Sequence, residues 1–144
     1  MHNIEKAFIQ IYICLILALF LWNSVSTIHF PYGADYGEAP LMDQVRRIEN
    51  GENLYKSNIN QPPYTIANYP PLYPYWIAVT NSFLKIPLFP AERIPSLFFS
   101  LVSGHIIGLF TYRLTENKWL GVFSATLFWE YPYVMIWSSL ARVD

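Results

Sequence analysis

The chain has 144 residues and a formal net charge of -1, and only 13% of its residues are charged. Hydrophobic residues make up 53% and aromatic residues 18%, so the chain carries about half the charge of an ordinary soluble domain. This balance predicts a membrane protein. The net charge gives no indication of a nucleic-acid partner, because the phosphate backbone is bound by a surplus of basic residues.

The first apolar stretch predicts a membrane span over about 7–28. Nothing formally charged occurs between Ala7 and Ala34, and ~20 helical residues are enough to cross the ~30 Å hydrocarbon core. A cleaved signal peptide is the competing interpretation, since Ser24-Val25-Ser26 loosely resembles a cleavage site, but the length of the stretch favours an anchor. The single cysteine, Cys14, lies here, which excludes an intramolecular disulfide.

Two carboxylates, Asp35 and Glu38, follow the first span at once, and Gly33 and Gly37 allow a tight backbone between them. A carboxylate at the bilayer edge can be the general base for a hydroxyl acceptor, or it can bind a metal. From these residues alone, the favoured interpretation is a solvated acidic turn or the acidic start of the next helix.

The segment 29–93 predicts an outer loop with two short helices. Apolar residues recur at helical spacing over 41–48, with Pro40 suited to a first turn and Gly51 to the residue past the end. Its apolar stripe is expected to lie on the membrane surface or against the spans. A proline- and tyrosine-rich stretch then precedes a half-buried or interfacial helix over 73–84. A full span over these residues is the alternative, and it would invert the membrane orientation of every later segment.

Two further spans are predicted, over 94–112 and 119–138. Small residues four apart on one face of the earlier span let another helix approach closely: Ser100, Gly104 and Gly108. Glu130 in the later span is costly to leave in lipid, so it should face a polar cavity or find a partner. His105 is interpreted as a neutral histidine bonded between helices.

The short basic connector 113–118 orients the spans, because Lys and Arg favour the cytoplasmic side. The N-terminus is then cytoplasmic, and the loop 29–93 and the residues after 138 lie outside. This topology brings Arg93, Arg142 and Asp144 to the same membrane face as Asp35 and Glu38. Arginine binds phosphate through its planar set of donors, although ordinary interfacial placement of Arg93 is an equal alternative.

The order of these pieces resembles the N-terminal module of the GT-C glycosyltransferases. The resemblance runs over 9–144 and rests on the acidic exit motif, the Gly-Glu-x-Leu-Tyr ending of the first outer helix, the stretch Asn68-Tyr69-Pro70-Pro71-Leu72-Tyr73-Pro74, and Ala141-Arg142-Val143-Asp144. It is greatest to bacterial members similar to the protein O-mannosyltransferases and the lipid A aminoarabinose transferase. These enzymes are longer, so the chain is interpreted as a single N-terminal module, 1–144, of a truncated protein.

The resemblance implies an α-helical integral membrane enzyme of the plasma membrane. It would transfer a sugar from a polyprenyl-phosphate carrier to an acceptor hydroxyl on the outer side, with inversion. Asp35 matches the essential acidic residue that deprotonates the acceptor, and Asp144 matches the acidic residue of the second outer loop. Glu38, Tyr69, Arg93 and Arg142 complete the predicted substrate site. A divalent cation is left open as a cofactor, with Asp35 and Asp144 as its ligands.

Two functions of other classes stay open beside the transferase. A membrane scaffold or assembly protein would use the outer loop to bind a protein partner. A transporter fragment would place His105 and Glu130 along one transmembrane path. The sugar and its acceptor are not specified by the sequence.

Overall fold

The computed structural model describes residues 3–142 except 63, 65 and 68, and this part of the chain is all-helical without strands. The predicted fold class is therefore confirmed at the level of helices alone. Six helices follow one another: α1 (Asn3–His29), α2 (Glu38–Glu49), α3 (Leu72–Leu84), α4 (Leu88–Thr115), α5 (Lys118–Glu130) and α6 (Pro132–Trp137).

Two of these helices are long and apolar enough to cross a membrane, α1 over Ile4–His29 and α4 over Leu88–Thr115. Their mean hydropathies are 2.1 and 1.6, and only 22% and 6% of their apolar windows are buried inside the protein. The core helix of a soluble domain would bury most of such a window. Helix α4 starts six residues before the predicted span, so Glu92 and Arg93 belong to its first turns.

The third predicted span, 119–138, is divided between α5 and α6 in the structure. The division falls at Pro132, which has no N–H to donate and whose ring would collide with the carbonyl four residues earlier in a continuous helix. The residue before it, Tyr131, takes the extended conformation that a following proline favours, with φ -53° and ψ 124°. Neither helix alone has the length of a span.

Helices α4 and α5 form the most extensive helix pair, and glycines make their close approach possible. A Cβ on Gly108 would lie 2.9 Å from the carbonyl oxygen of Gly121, and one on Gly121 would lie 2.8 Å from that of Gly108. The reversal between the helices is tight, since Glu116 adopts a left-handed φ of 54° and Asn117 caps α5 through its side chain. The predicted small-residue face of 94–112 is thus a helix interface.

Helices α2 and α3 pack on each other and on the start of α4. Val45 of α2, Ile77 and Ala78 of α3 and Ala91 of α4 form one buried apolar cluster. The apolar stripe of α2 is therefore covered by protein rather than left for the membrane surface. Gly51 ends α2 with a φ of 73°, as its position predicted, and its N–H donates to the carbonyl of Ile48 over 3.0 Å.

Candidate functional site

A buried ion pair joins α2 to α4 at the end of the molecule where α1 finishes. The guanidinium of Arg93 donates from Nε to Oε1 of Glu38 and from Nη2 to Oε2, each over 2.8 Å. Both side chains are fully buried, with exposed fractions of 0%. A two-point contact of this kind fixes orientation as well as distance.

The remaining N–H groups of Arg93 hold the chain that leaves α1. Nη1 donates to the carbonyls of Thr27 and Phe30 over 2.6 Å each, and Nη2 donates to that of Tyr32 over 2.8 Å. The last carbonyls of a helix lack partners within the helix, so a guanidinium placed there satisfies them. All five N–H donors of Arg93 are occupied within the protein. Arg93 therefore has a structural role, and none of its N–H groups is left to bind a substrate phosphate in this arrangement.

Glu38 also fastens two backbone segments. Its Oε2 accepts from the N–H of Ala34 over 2.7 Å and its Oε1 from the N–H of Ala141 over 3.0 Å. Burial raises the pKa of Glu38, but the hydrogen bonds from Arg93, Ala141 and Ala34 together outweigh burial and hold its pKa below the ordinary value of 4.5. The carboxylate therefore stays ionised and ties the residues after α6 to the start of α2.

Asp35 lies on the turn that the Arg93–Glu38 ion pair holds in place. Its Oδ2 accepts from the N–H of Gly37 over 3.0 Å and forms an ion pair with Nη1 of Arg142 over 3.2 Å. The exposed fractions are 10% for the Asp35 side chain and 17% for that of Arg142. The guanidinium of Arg142 lies 4.2 Å from the centre of the Trp137 ring. Asp35 and Arg142, 107 positions apart in sequence, are thus neighbours in space.

A cavity of about 550 Å³ opens beside Arg142 and is lined by residues of α3, α4, α5 and α6. Its polar lining consists of hydroxyl groups together with the Arg142 guanidinium, and aromatic rings form much of the rest. The lining residues are Tyr73, Ser96, Phe99, Ser100, Ser103, Phe128, Tyr133, Val134, Trp137, Ser138, Leu140 and Arg142. Asp35 does not line the cavity, but its ion-pair partner Arg142 does.

The structure brings together four of the predicted site residues: Asp35, Glu38, Arg93 and Arg142. Tyr69 lies apart from them, with its side chain 45% exposed and its carbonyl accepting a hydrogen bond from the hydroxyl of Tyr55. Asp144 lies outside the described residues. Among the residues that are described, no cluster of three or more His, Cys, Asp or Glu side chains could hold a metal ion.

The serines that line the cavity were not predicted as part of the site, and Ser100 was singled out only as a small residue of a helix interface. Ser96, Ser100 and Ser103 recur at intervals of four and three along α4, which places them on one helix face. That spacing of hydroxyls within an apolar span was the available signal. Glu92 was missed as well: it is fully buried, and neither of its carboxylate oxygens has a hydrogen-bond partner.

The polar residues within the predicted spans lie elsewhere. Glu130 accepts a hydrogen bond from the hydroxyl of Tyr12 in α1, so the carboxyl has found a partner. His105 lines a mainly apolar groove of about 410 Å³ between α4 and α5, and Glu130 is not among the residues that line it. The transporter alternative requires His105 and Glu130 to line one path, but the two residues do not share this groove.

The chain matches no family model, and comparisons with curated proteins and with solved structures give no match.

Proposed function

We propose that this chain is a membrane glycosyltransferase module of the GT-C type that moves a sugar from a polyprenyl phosphate to an acceptor hydroxyl. The observation that carries the proposal is the ion pair of Asp35 with Arg142 at the edge of a hydroxyl-lined cavity. This reaction needs a general base and a phosphate-binding group within reach of one sugar ring, because the acceptor oxygen and the leaving phosphate bond the same anomeric carbon from opposite faces.

The reaction assigns each group one task. The acceptor oxygen attacks the anomeric carbon and forms the new C–O bond, while the bond from that carbon to the phosphate oxygen breaks. Asp35 takes the hydroxyl proton, and the phosphate leaves with the electron pair. Arg142 stabilises the negative charge of the leaving phosphate. Attack from the face opposite the phosphate inverts the anomeric centre.

Arg93 and Glu38 act in this proposal as positioning residues. They hold the turn that carries Asp35 and the segment that carries Arg142, through hydrogen bonds to Ala34 and Ala141. Preorganised charge of this kind costs no rearrangement when the reaction occurs. A role for Tyr69 or Asp144 in binding the donor, and a divalent cation held by Asp35 and Asp144, remain parts of the proposal.

The membrane arrangement is also proposed. Helices α1 and α4 cross the bilayer, and α5 with α6 forms a third, kinked crossing. The site then lies on the outer face of the plasma membrane, with the N-terminus in the cytoplasm. The basic residues Arg113 and Lys118, at the opposite end of α4 from Arg93, support this orientation.

Replacing Asp35 by Asn in the chromosomal gene tests the function. Loss of the base is expected to lower transfer by about 10²-fold or more, which is the ordinary contribution of general base catalysis. The unused lipid-linked sugar should then accumulate in native membranes, where mass spectrometry measures it. Asp43→Asn, the same chemical change in α2, is the matched control and should leave the lipid profile unchanged. An Asp35→Asn strain with normal lipid-linked sugars and normal chain abundance would remove the base role.

A further inference from the structure

The groove of about 410 Å³ between α4 and α5 follows the seam of this helix pair. The residues that line it recur at intervals of three and four positions in each of the two helices, and residues with that spacing lie on one helix face. Those of α5 are Lys118, Gly121, Val122, Ala125, Thr126 and Trp129. The groove is therefore continuous along both helices rather than a local depression.

The length of the groove matches one leaflet of a bilayer. Lys118 and Trp129 lie at opposite ends of its α5 side, ~16 Å apart along the helix at ~1.5 Å per residue. One leaflet contributes ~15 Å to a hydrocarbon core of ~30 Å. A volume of about 410 Å³ spread over ~16 Å has a mean cross-section of ~25 Å², whereas a helix with its side chains is ~10–12 Å across. The groove thus fits an extended acyl chain and is too narrow for a further helix.

The walls of the groove are mainly hydrocarbon. Leu109 and Val122 line it with exposed fractions of 47% and 45%. The polar atoms of Thr126 and Trp129 are occupied within the protein. The Thr126 hydroxyl donates to the carbonyl of Val122 over 2.9 Å, and the indole N–H of Trp129 donates to that of Ser100 over 3.2 Å. An open apolar surface of this kind is covered favourably by a lipid chain.

The end of the groove at the reversal between α4 and α5 is positively charged. Lys118 is the one lining residue with a permanently charged side chain, and no lining residue that the structure describes is Asp or Glu. Within the described part of the chain, no carboxylate forms an ion pair with Lys118. Tyr112 lines the same end, and tyrosine rings favour the level of the lipid headgroups. Basic pockets between membrane helices bind the headgroups of anionic lipids.

We propose that this groove binds one anionic phospholipid, with an acyl chain along the α4–α5 seam and the phosphate at Lys118. The site lies at the opposite end of α4 from Arg93, so it is separate from the proposed reaction. It rests on the proposed crossing of the membrane by α4 and α5 and not on the chemistry of Asp35. In the proposed orientation the lipid belongs to the cytoplasmic leaflet, which is the anionic one.

Native mass spectrometry of the full chain released from lipid nanodiscs tests the proposal. The nanodiscs contain equal amounts of anionic phosphatidylglycerol and zwitterionic phosphatidylcholine with identical acyl chains. After collisional activation has removed loosely held lipids, phosphatidylglycerol should be about fivefold enriched among those that remain, which corresponds to the ~1 kcal/mol contributed by one lysine. Both leaflets have the same composition, so the result depends neither on orientation nor on a variant.

Two substitutions with the same loss of charge separate the groove from the general surface. Lys118→Gln should abolish the enrichment, because the headgroup loses its cationic partner. Arg113→Gln is the matched control, since Arg113 is exposed at the same end of α4 but does not line the groove. It should keep the enrichment at about fivefold.

Filling the groove tests the position of the acyl chain. Val122→Phe places a larger side chain in the groove from a partly exposed position and should lower the fraction of chains that retain a lipid by about fivefold. Leu120→Phe, 46% exposed on α5 and outside the groove, is the control and should retain lipid normally. His105→Leu should retain lipid at least as well as the unsubstituted chain, because an acyl chain gains an apolar contact.

The proposal is overturned if phosphatidylglycerol is not enriched, or if Lys118→Gln and Arg113→Gln lower the enrichment equally, since surface charge would then account for it. Lipid-free dimers of the chain would assign the groove to a second copy instead. Loss of lipid from His105→Leu would show that the occupant bonds to the imidazole and is not an acyl chain. Each of these results leaves the role of Asp35 to be decided by the Asp35→Asn strain.

Discussion

Arg93 is the residue on which the geometry around Asp35 depends. Its guanidinium satisfies three backbone carbonyls and one carboxylate without contact with water. A buried pair broken by removal of one partner leaves an uncompensated charge, which costs about 3–5 kcal/mol. The same physics makes the cost of a second removal small, because no buried charge is then left unpaired.

We therefore expect Arg93→Met and Glu38→Gln each to lower the free energy of unfolding by about 3–5 kcal/mol and the double variant to cost much less than their sum. Unfolding in mixed micelles by titration with a denaturing detergent measures all three. Arg113→Met, at an exposed position near the other end of α4, should change the free energy by less than about 0.5 kcal/mol. Additive losses from the two single substitutions would contradict the pairing.

Acid should weaken the ion pair of Glu38 with Arg93. The pKa of Glu38 in the folded chain lies below its ordinary value of 4.5, so its carboxylate contributes stability that is fully present above pH 4.5. That contribution is lost as the pH falls through the folded pKa, since the unfolded chain takes up the proton first.

The expected result is a smaller acid-induced loss of stability in Glu38→Gln than in the unsubstituted chain. The midpoint of detergent unfolding, followed from neutral pH down to about pH 3, measures the difference. The other carboxyl groups are present in both chains, so their contribution to the acid-induced loss of stability cancels in the comparison. Parallel curves for the two chains would show that Glu38 does not contribute through its charge.

At this scale, the sequence placed Asp35, Glu38, Arg93 and Arg142 in one site, and the structure brings these four together, whereas Tyr69 lies apart from them. The proximity of Asp35 and Arg142 was expected from the predicted alternation of spans, which would return the chain to the same face. The structural role of Arg93 could not be predicted, because its acceptors at Thr27, Phe30 and Tyr32 are backbone carbonyls. Their direction depends on how the chain turns after α1, and no side chain records that turn.

At the scale of helices, two prolines in apolar stretches have opposite outcomes. Pro95 lies inside α4, whereas Pro132 separates α5 from α6. A proline removes one helical hydrogen bond in either place, and only the surrounding contacts decide whether the helix continues. Composition alone therefore predicted where apolar segments lie but not that 119–138 is divided.

The pairing of α4 with α5 rests on glycine at both sides of one contact. A Cβ on Gly121 would lie 2.8 Å from the carbonyl oxygen of Gly108 and 3.0 Å from Cβ of Tyr112, and neither atom is the end of a flexible side chain. Gly121→Ala is therefore expected to lower the free energy of unfolding by about 1–3 kcal/mol, the usual cost of overpacking. Detergent unfolding measures it.

Gly33→Ala is the matched control for this substitution. An added Cβ there would meet its nearest atom at 3.8 Å, which is ordinary contact, so little change is expected. If both alanine variants unfold alike, the approach of α4 and α5 is not limited by the glycine.

At the scale of the molecule, the apolar surface and the site make one consistent arrangement. Large apolar side chains are exposed along α1 and α4, including Phe8 at 68%, Trp22 at 77% and Phe110 at 65%. Water would disfavour so extensive an apolar surface, and lipid would not. The end of α1, the start of α4 and the end of α6 meet around Glu38, which is the polar end of this apolar body.

This arrangement predicts which parts of the chain are reached from each side of a membrane. Cys14 is replaced by Ala, and a single cysteine is introduced at Tyr36, Ile59 or Arg113, the first two being 83% and 54% exposed. A membrane-impermeant thiol reagent added outside intact cells should label the cysteines at positions 36 and 59 and spare the one at 113. In inverted vesicles the pattern should reverse, because α4 carries the chain across between the two groups. Labelling of all three positions from one side would show that α4 does not cross the membrane between them, and it would contradict the proposed membrane arrangement.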